Sequence, residues 1–192
     1  MRSTFLIIFF VALNVFSQTA LIWTPNNNGQ SSAQAIQSSL SHNGVSAQIN
    51  SNVGGSLDSY DYIFVCLGVH PNTYSLNASV NENEINSLVN YLNNGGRVYL
   101  EGGDTWARDA QTELQQKFYI RGEADGAGDL QNINGAGCFS GRSFAYSGAN
   151  SFIDRLAPRE GATIFFTNSA PAYACGVGYE NGVYRTLGVS FE

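Results

Sequence analysis

LVNYLNNGGRVYLEGGD, the stretch from residue 88 to residue 104, decides the fold of this chain. Apolar residues recur at helical spacing from Ile85 to Leu92, and two glycines end the pattern. Arg97 to Glu101 follows as a short strand, and a glycine-rich turn then leads to Asp104. A helix that returns directly to a strand is typical of α/β proteins.

The same alternation extends to both sides of this stretch. Asp61 to Leu67 is apolar on both parities, which is the pattern of a strand covered on both faces. Further strands are predicted at Ala20–Trp23 and Val45–Ile49, with a helix between them capped by Ser31 or Ser32, and a last helix is predicted from about Thr105 to Phe118. This order predicts an α/β domain with a doubly wound, mostly parallel sheet.

From Arg121 onward the sequence pattern changes, and glycine-rich loops separate short strands. The strands are predicted at Phe139–Tyr146, Thr163–Thr167, Ala172–Tyr179 and Val183–Phe191. Glu180-Asn181-Gly182 is a hairpin signal between the last two of them. We therefore expect a β-rich C-terminal extension of the same domain.

The N-terminus predicts export. Met1 to Thr4 carries one arginine, an apolar run extends from Phe5 to Phe16, and Ser17 offers a small residue for cleavage. The run is too short to span a membrane, so residues 1–17 are predicted to be a signal peptide. We expect a secreted or cell-surface protein with no membrane span after cleavage, and a single domain at residues 18–192. The strand-like end at Glu192 suggests that this domain is truncated.

Composition excludes several classes of partner. The formal charge is -6, only 12% of residues are charged, and Lys117 is the single lysine. Without a basic run we expect no nucleic-acid binding. No phosphate-loop or dinucleotide motif occurs, so no cofactor is expected. Asp125 and Asp129 lie on an acidic loop that resembles a calcium site only weakly, because the acids are not at alternate positions, and solvated turn residues are the alternative.

Three cysteines remain after the predicted cleavage. Cys138 and Cys175 lie in turn-bounded segments of the second half, and an exported protein meets oxidising conditions. We predict a disulfide between these two. Cys66 lies within an apolar strand and is expected to be a free, buried thiol.

Three segments carry a resemblance to a known group: DYIFVCLG at 61–68, LVNYLNNGGRVYLEGGD at 88–104, and AYACGVGYENGVYRTLGVSFE at 172–192. They resemble a group of uncharacterised exported bacterial proteins whose domain is class I glutamine amidotransferase-like, with a flavodoxin-like fold, often followed by a surface-sorting domain. Active members of the wider fold place a Cys nucleophile on the turn after a strand. Here that turn reads Glu101-Gly102-Gly103-Asp104, so the resemblance implies the fold without the thiol chemistry.

In a doubly wound sheet, ligands meet the carboxyl ends of the strands. His70, Glu101 and Asp104 are the catalytic candidates there; their alternatives are a solvated turn for His70, an ion pair with arginine for Glu101 and a helix cap for Asp104. The binding candidates at the same edge are Trp23, Asn26, Asn27, Trp106 and Arg108. The two tryptophans suit a stacking platform, although large aromatic residues also fill cores.

Three functions follow from these residues. The first is a non-catalytic secreted or surface-associated domain that recognises an extracellular ligand or protein, or has a structural role. The second is an extracellular hydrolase with its site at the strand ends. The third is a carbohydrate-binding module that uses the tryptophans.

Overall fold

A computed structural model describes residues 17–53 and 55–192, and their central element is one sheet. Its strands are β1 (Thr19–Trp23), β2 (Ser46–Asn50), β3 (Tyr62–Cys66), β4 (Arg97–Glu101), β5 (Ile120–Ala124), β6 (Asn132–Gly135), β7 (Ser143–Ala145), β8 (Arg155–Pro158), β9 (Ala162–Ser169), β10 (Ala172–Glu180) and β11 (Arg185–Val189). The helices are α1 (Gln30–His42), α2 (Glu82–Asn93) and the short α3 (Glu113–Gln116).

The sheet is mixed, and the prediction of a mostly parallel sheet was wrong. The main strand order is β2-β1-β3-β4-β11-β10-β9-β6-β7. The first five of these strands are parallel to one another, whereas β10, β9, β6 and β7 continue the sheet in antiparallel pairs, and β8 and β5 pair antiparallel beside β10. The sheet is mixed because most of its strands come from the C-terminal half of the chain, where hairpins pair the strands antiparallel.

Helices cover the parallel part of the sheet on both faces. Successive strand residues point to opposite sides of the sheet, so a strand that is apolar throughout needs a cover on each side. Ala33 of α1 packs with Ile22 and Cys66 on one face. On the other face, Leu88 of α2 packs with Val65 in the largest apolar cluster. The apolar pattern on both parities of β3 was therefore read correctly.

One predicted helix was wrong. The segment from Thr105 to Phe118 is helical only in α3, and its first part is a series of turns. The carboxylate of Asp154 accepts hydrogen bonds from the backbone amides of Trp106 and Ala107, and these bonds hold the segment in turns. A partner 47 or 48 residues away overrides the local preference for a helix.

The last strand, β11, lies between β4 and β10 and is parallel to β4. This register puts Val189 beside Glu101, while Cys66 of β3 lies on the other side of Glu101. The carboxyl ends of β3, β4 and β11 therefore meet at one edge of the sheet. The predicted hairpin at Glu180–Gly182 is confirmed, since β10 and β11 pair antiparallel across it.

The predicted disulfide was wrong. Cys138 and Cys175 are both free thiols, and so is Cys66. Cys175 lies in β10 with its side chain in a buried cluster, whereas Cys138 is exposed on a short 3-10 turn. A bridge is absent because one thiol points into the core and the other meets solvent.

The signal-peptide prediction falls, apart from Ser17, outside the described residues. Among the helices that the structure describes, none has the length and apolar character needed to cross a membrane.

Candidate functional site

A cavity of about 370 Å³ lies beyond the carboxyl ends of β3 and β4. We call it the acidic pocket. It is lined by His70, Thr73, Ser75, Asp104, Arg108, Asp109, Asp125 and Phe152. Three residues predicted from the sequence as site candidates, His70, Asp104 and Arg108, are thus brought together.

Two loops of the parallel half form most of the acidic pocket. The loop after β3 supplies His70 and Thr73, and the turn after β4 supplies Asp104. The Thr73 hydroxyl donates to Asp104 Oδ2 at 2.8 Å, which fixes the two loops to each other. The turn after β4 is close-packed on its inner side, where a Cβ atom at Gly103 would lie 3.3 Å from Val69.

The antiparallel half supplies the opposite wall. Phe152 comes from the segment between β7 and β8, and its ring lies edge-on to His70 with 4.7 Å between ring centroids. The Phe152 side chain remains 41% exposed, so part of an apolar face is open to a ligand. Asp125 comes from the loop after β5 and is also exposed.

Negative charge dominates the acidic pocket. Asp104, Asp109 and Asp125 contribute three carboxylates, against the single guanidinium of Arg108. Burial raises the pKa of Asp109 above its ordinary value, and the carboxylate of Asp104 raises it further. Asp109 Oδ2 is buried without a hydrogen-bond partner. The pocket therefore has more acceptors than donors.

Asp154 lies behind the wall of the acidic pocket. It is fully buried, and its Oδ2 accepts the amides of Trp106 and Ala107 at 2.8 Å each. Its second oxygen, Oδ1, has no partner. Burial raises the pKa of Asp154 to about 7 although the two amides lower it, and the carboxylates of Asp104 and Asp125 raise it further.

Glu101 lies apart from this pocket, although the sequence placed it in the same site. It is 1% exposed, and Tyr99 donates to its Oε2 at 2.8 Å. Ser32 and Cys66 lie beside the carboxyl, but Oε1 has no partner within hydrogen-bond distance. Burial raises the pKa of Glu101 to about 7 against the polar contacts that lower it. Neither Arg97 nor Arg108 forms a salt bridge with Glu101 in the described part of the chain, so the ion pair considered as its alternative role is not found there.

Cys66 and His70 do not form a dyad. Cys66 is fully buried in the cluster under α1, whereas His70 is exposed in the acidic pocket. Burial raises the pKa of the Cys66 thiol, and the nearby Glu101 carboxylate raises it further. A thiol that is buried and stays protonated is not a nucleophile.

The prediction of a tryptophan platform was wrong. Trp23 is 1% exposed and Trp106 is 3% exposed, and both belong to the main apolar cluster. Each indole nitrogen donates to a backbone carbonyl, Trp23 to Ser51 at 3.1 Å and Trp106 to Val189 at 2.9 Å. Both rings are used in packing.

The remaining candidates have different surroundings. Asn26 and Asn27 belong to a 3-10 turn after β1, and Asn27 is not among the residues that line the acidic pocket. Asp129 accepts from Arg155 at 2.6 Å and from Tyr173 at 3.1 Å, so its oxygens are engaged. In the part of the chain that the structure describes, no three His, Cys, Asp or Glu residues are placed to hold a metal ion.

Sequence reasoning missed part of the acidic pocket. Thr73, Ser75 and Asp109 follow predicted strand ends within a few residues, so their position along the chain was a usable signal. Phe152 and Asp154 come from a segment without a regular pattern, about 50 residues after β4. Nothing local in the sequence indicates that this segment folds back to the pocket.

Comparison with known proteins gives the fold alone. No protein-family model and no curated protein matches the chain. Among solved structures, a glutamine amidotransferase from Thermotoga maritima is similar with a TM-score of 0.57 and 12% identity, over 91% of this chain and 75% of that one. A ThuA-like protein from Parabacteroides merdae has a TM-score of 0.57 and 11% identity, over 91% of this chain and 79% of that one.

An exo-β-1,4-mannosidase from an Opitutaceae bacterium has a TM-score of 0.60 and 13% identity, over 91% of this chain. The chain spans only 31% of the length of that mannosidase. The fold is therefore glutamine amidotransferase-like, and it also occurs as a part of larger enzymes.

Proposed function

We propose that this protein is an exported or surface-associated recognition domain that binds a small ligand in the acidic pocket. The observation that supports this proposal is the composition of the pocket. Three carboxylates, one guanidinium, two hydroxyls, an imidazole and a half-exposed ring meet at the carboxyl ends of parallel strands. Neither Cys66 nor Glu101 lines it. The thiol route of amidotransferases is therefore not part of the proposal.

The excess of acceptors defines the ligand class. A ligand that donates hydrogen bonds, through hydroxyl or ammonium groups, complements Asp104, Asp109 and Asp125. The exposed face of Phe152 suits the apolar face of a sugar ring or an ammonium group. An amino sugar combines these properties, whereas an anionic sugar meets repulsion.

Calorimetric titration tests this proposal with three matched probes. We expect glucosamine to bind more tightly than neutral N-acetylglucosamine, and glucuronate not to bind. Asp104→Asn and Asp125→Asn each remove one acceptor charge and should weaken glucosamine binding at least about fivefold. Asp58→Asn, which removes an exposed carboxylate outside the pocket, is the matched control. Equal affinity in all three variants and the wild type would refute the proposal.

A hydrolase is the second candidate, and Asp109 favours it. A half-buried carboxyl with a raised pKa in a pocket is suited to general acid catalysis. A panel of nitrophenyl glycosides and esters tests this candidate. Turnover by the wild type that Asp109→Asn abolishes would establish a hydrolase; turnover that survives this change would remove Asp109 from any mechanism.

A further inference from the structure

Asp154 makes three hydrogen bonds to one short segment, the turn after β4. Its Oδ2 accepts the amides of Trp106 and Ala107, and its own amide donates to the Gly103 carbonyl at 3.0 Å. Because Asp154 is fully buried, water does not compete for these bonds. The side chain and the backbone amide of Asp154 therefore fix the turn on the side that faces away from the pocket.

The held turn carries much of the acidic pocket. Asp104 lies two residues before the Trp106 amide, and Arg108 and Asp109 follow the Ala107 amide directly. Because these three residues lie within two positions of the two amides, a displacement of the amides would move the three pocket side chains together.

The segment of Asp154 also supports the opposite wall. Phe152 lies two residues before Asp154 on the same segment. Between them, Ile153 packs against Gly126 so closely that a Cβ atom there would overlap the Ile153 carbonyl. Gly126 is next to Asp125, so the third loop of the pocket rests on the same segment.

We propose that Asp154 is the positioning residue of the acidic pocket, which sets the turn after β4 in the binding-competent arrangement through the amides of Trp106 and Ala107. This inference rests on the proposed function of the pocket. Asp154 is not among the residues that line the pocket. It acts through the three side chains that the turn carries.

The charge of Asp154 makes this role sensitive to pH. The groups that act on it from neighbouring segments are Asp104 and Asp125, both carboxylates. Arg155, next along the chain, pairs with Asp129 instead. With its pKa raised to about 7, Asp154 changes charge near neutral pH, and protonation weakens the charge-assisted bonds from the two amides. The two amide hydrogen bonds are therefore strongest above this pH, whereas the buried charge itself lowers the stability of the fold there.

An NMR pH titration of the full chain tests the positioning role without any ligand. We expect the amide protons of Trp106 and Ala107 to shift with one midpoint near neutral pH, shared with the side-chain carboxyl carbon of Asp154 in the wild type. Asp154→Asn should flatten both amide curves. Glu101→Gln, which removes the other carboxyl with a pKa near 7, should leave them unchanged.

Glucosamine titration of the same variants completes the test. We expect Asp154→Asn, which keeps an acceptor oxygen, to retain affinity within about threefold, and Asp154→Ala to lose at least about tenfold. Amides that stay flat in the wild type, or that still titrate in Asp154→Asn, would overturn the inference. Wild-type amides that titrate as expected in a protein that binds none of the probes would instead count against the proposed function. If Asp154→Asn does not fold, the shared midpoint in the wild type still decides the question.

Discussion

Glu101 ends strand β4 with its carboxyl buried, and its ionisation is therefore coupled to folding. Its folded-state pKa is raised from 4.5 to about 7, whereas the unfolded chain has the ordinary value. The protonated Glu101 carboxyl contributes its full stability to the folded protein below the pKa of the unfolded chain. This contribution is lost as the pH rises through the pKa of the folded protein. At about 1.4 kcal/mol per pKa unit, the whole effect is on the order of 3 kcal/mol.

Replacing Glu101 with Gln removes this charge. We expect the wild type to be less stable at about pH 8 than at about pH 5, and Glu101→Gln to reduce that difference, as measured by urea unfolding at both pH values. Asp154, with a similarly raised pKa, retains part of the dependence. Glu160→Gln removes an exposed carboxylate and should leave the difference unchanged. A Glu101→Gln profile that parallels the wild type would show that Glu101 does not titrate in this range.

The three thiols differ in reactivity because they differ in burial. Cys138 is exposed, whereas burial raises the pKa of Cys175 to about 12 and that of Cys66 as well. A thiol reagent should therefore modify one cysteine in the native protein and all three after unfolding without reductant. Detection of a single thiol in the unfolded, unreduced protein would show that a disulfide forms after all.

At the scale of elements, helix α1 is tightly packed where it begins. Gly29 precedes it, and a Cβ atom there would lie 2.7 Å from Cys66 Cβ. We expect Gly29→Ala to lower the free energy of unfolding by about 1–3 kcal/mol, because the helix must move away from β3. Chemical denaturation measures the change, and Ser39→Ala on the exposed side of α1 is the control. Equal changes in both variants would mean that the space beside Gly29 accommodates a Cβ atom without strain.

The parallel half was largely predictable from the sequence. β4 has the predicted bounds, and α2 begins and ends within a residue or two of the pattern that ends at Gly95 and Gly96. The apolar periodicity of these elements matches their burial, so local pattern and tertiary packing agree. The turn after β4 was not predictable, because the bonds to Asp154 that form it join residues far apart in the chain.

At the scale of the whole molecule, the antiparallel half provides one wall of the acidic pocket. Phe152 and Asp125 reach it from segments whose course depends on the mixed sheet. Sequence reasoning assembled only the residues next to parallel strand ends, because the carboxyl-end rule applies to those strands alone. It offered the two tryptophans as a stacking platform or as core residues, and core packing is what the structure shows: Trp106 packs so closely on Gly188 that a Cβ atom there would overlap its ring.

We propose above that this protein binds its ligand in the acidic pocket. A crystal structure of the protein soaked with glucosamine tests it most directly. We expect density in the pocket, with the ammonium or hydroxyl groups against Asp104 and Asp125 and the ring against Phe152. An empty acidic pocket at saturating glucosamine, or density only elsewhere on the surface, would contradict it.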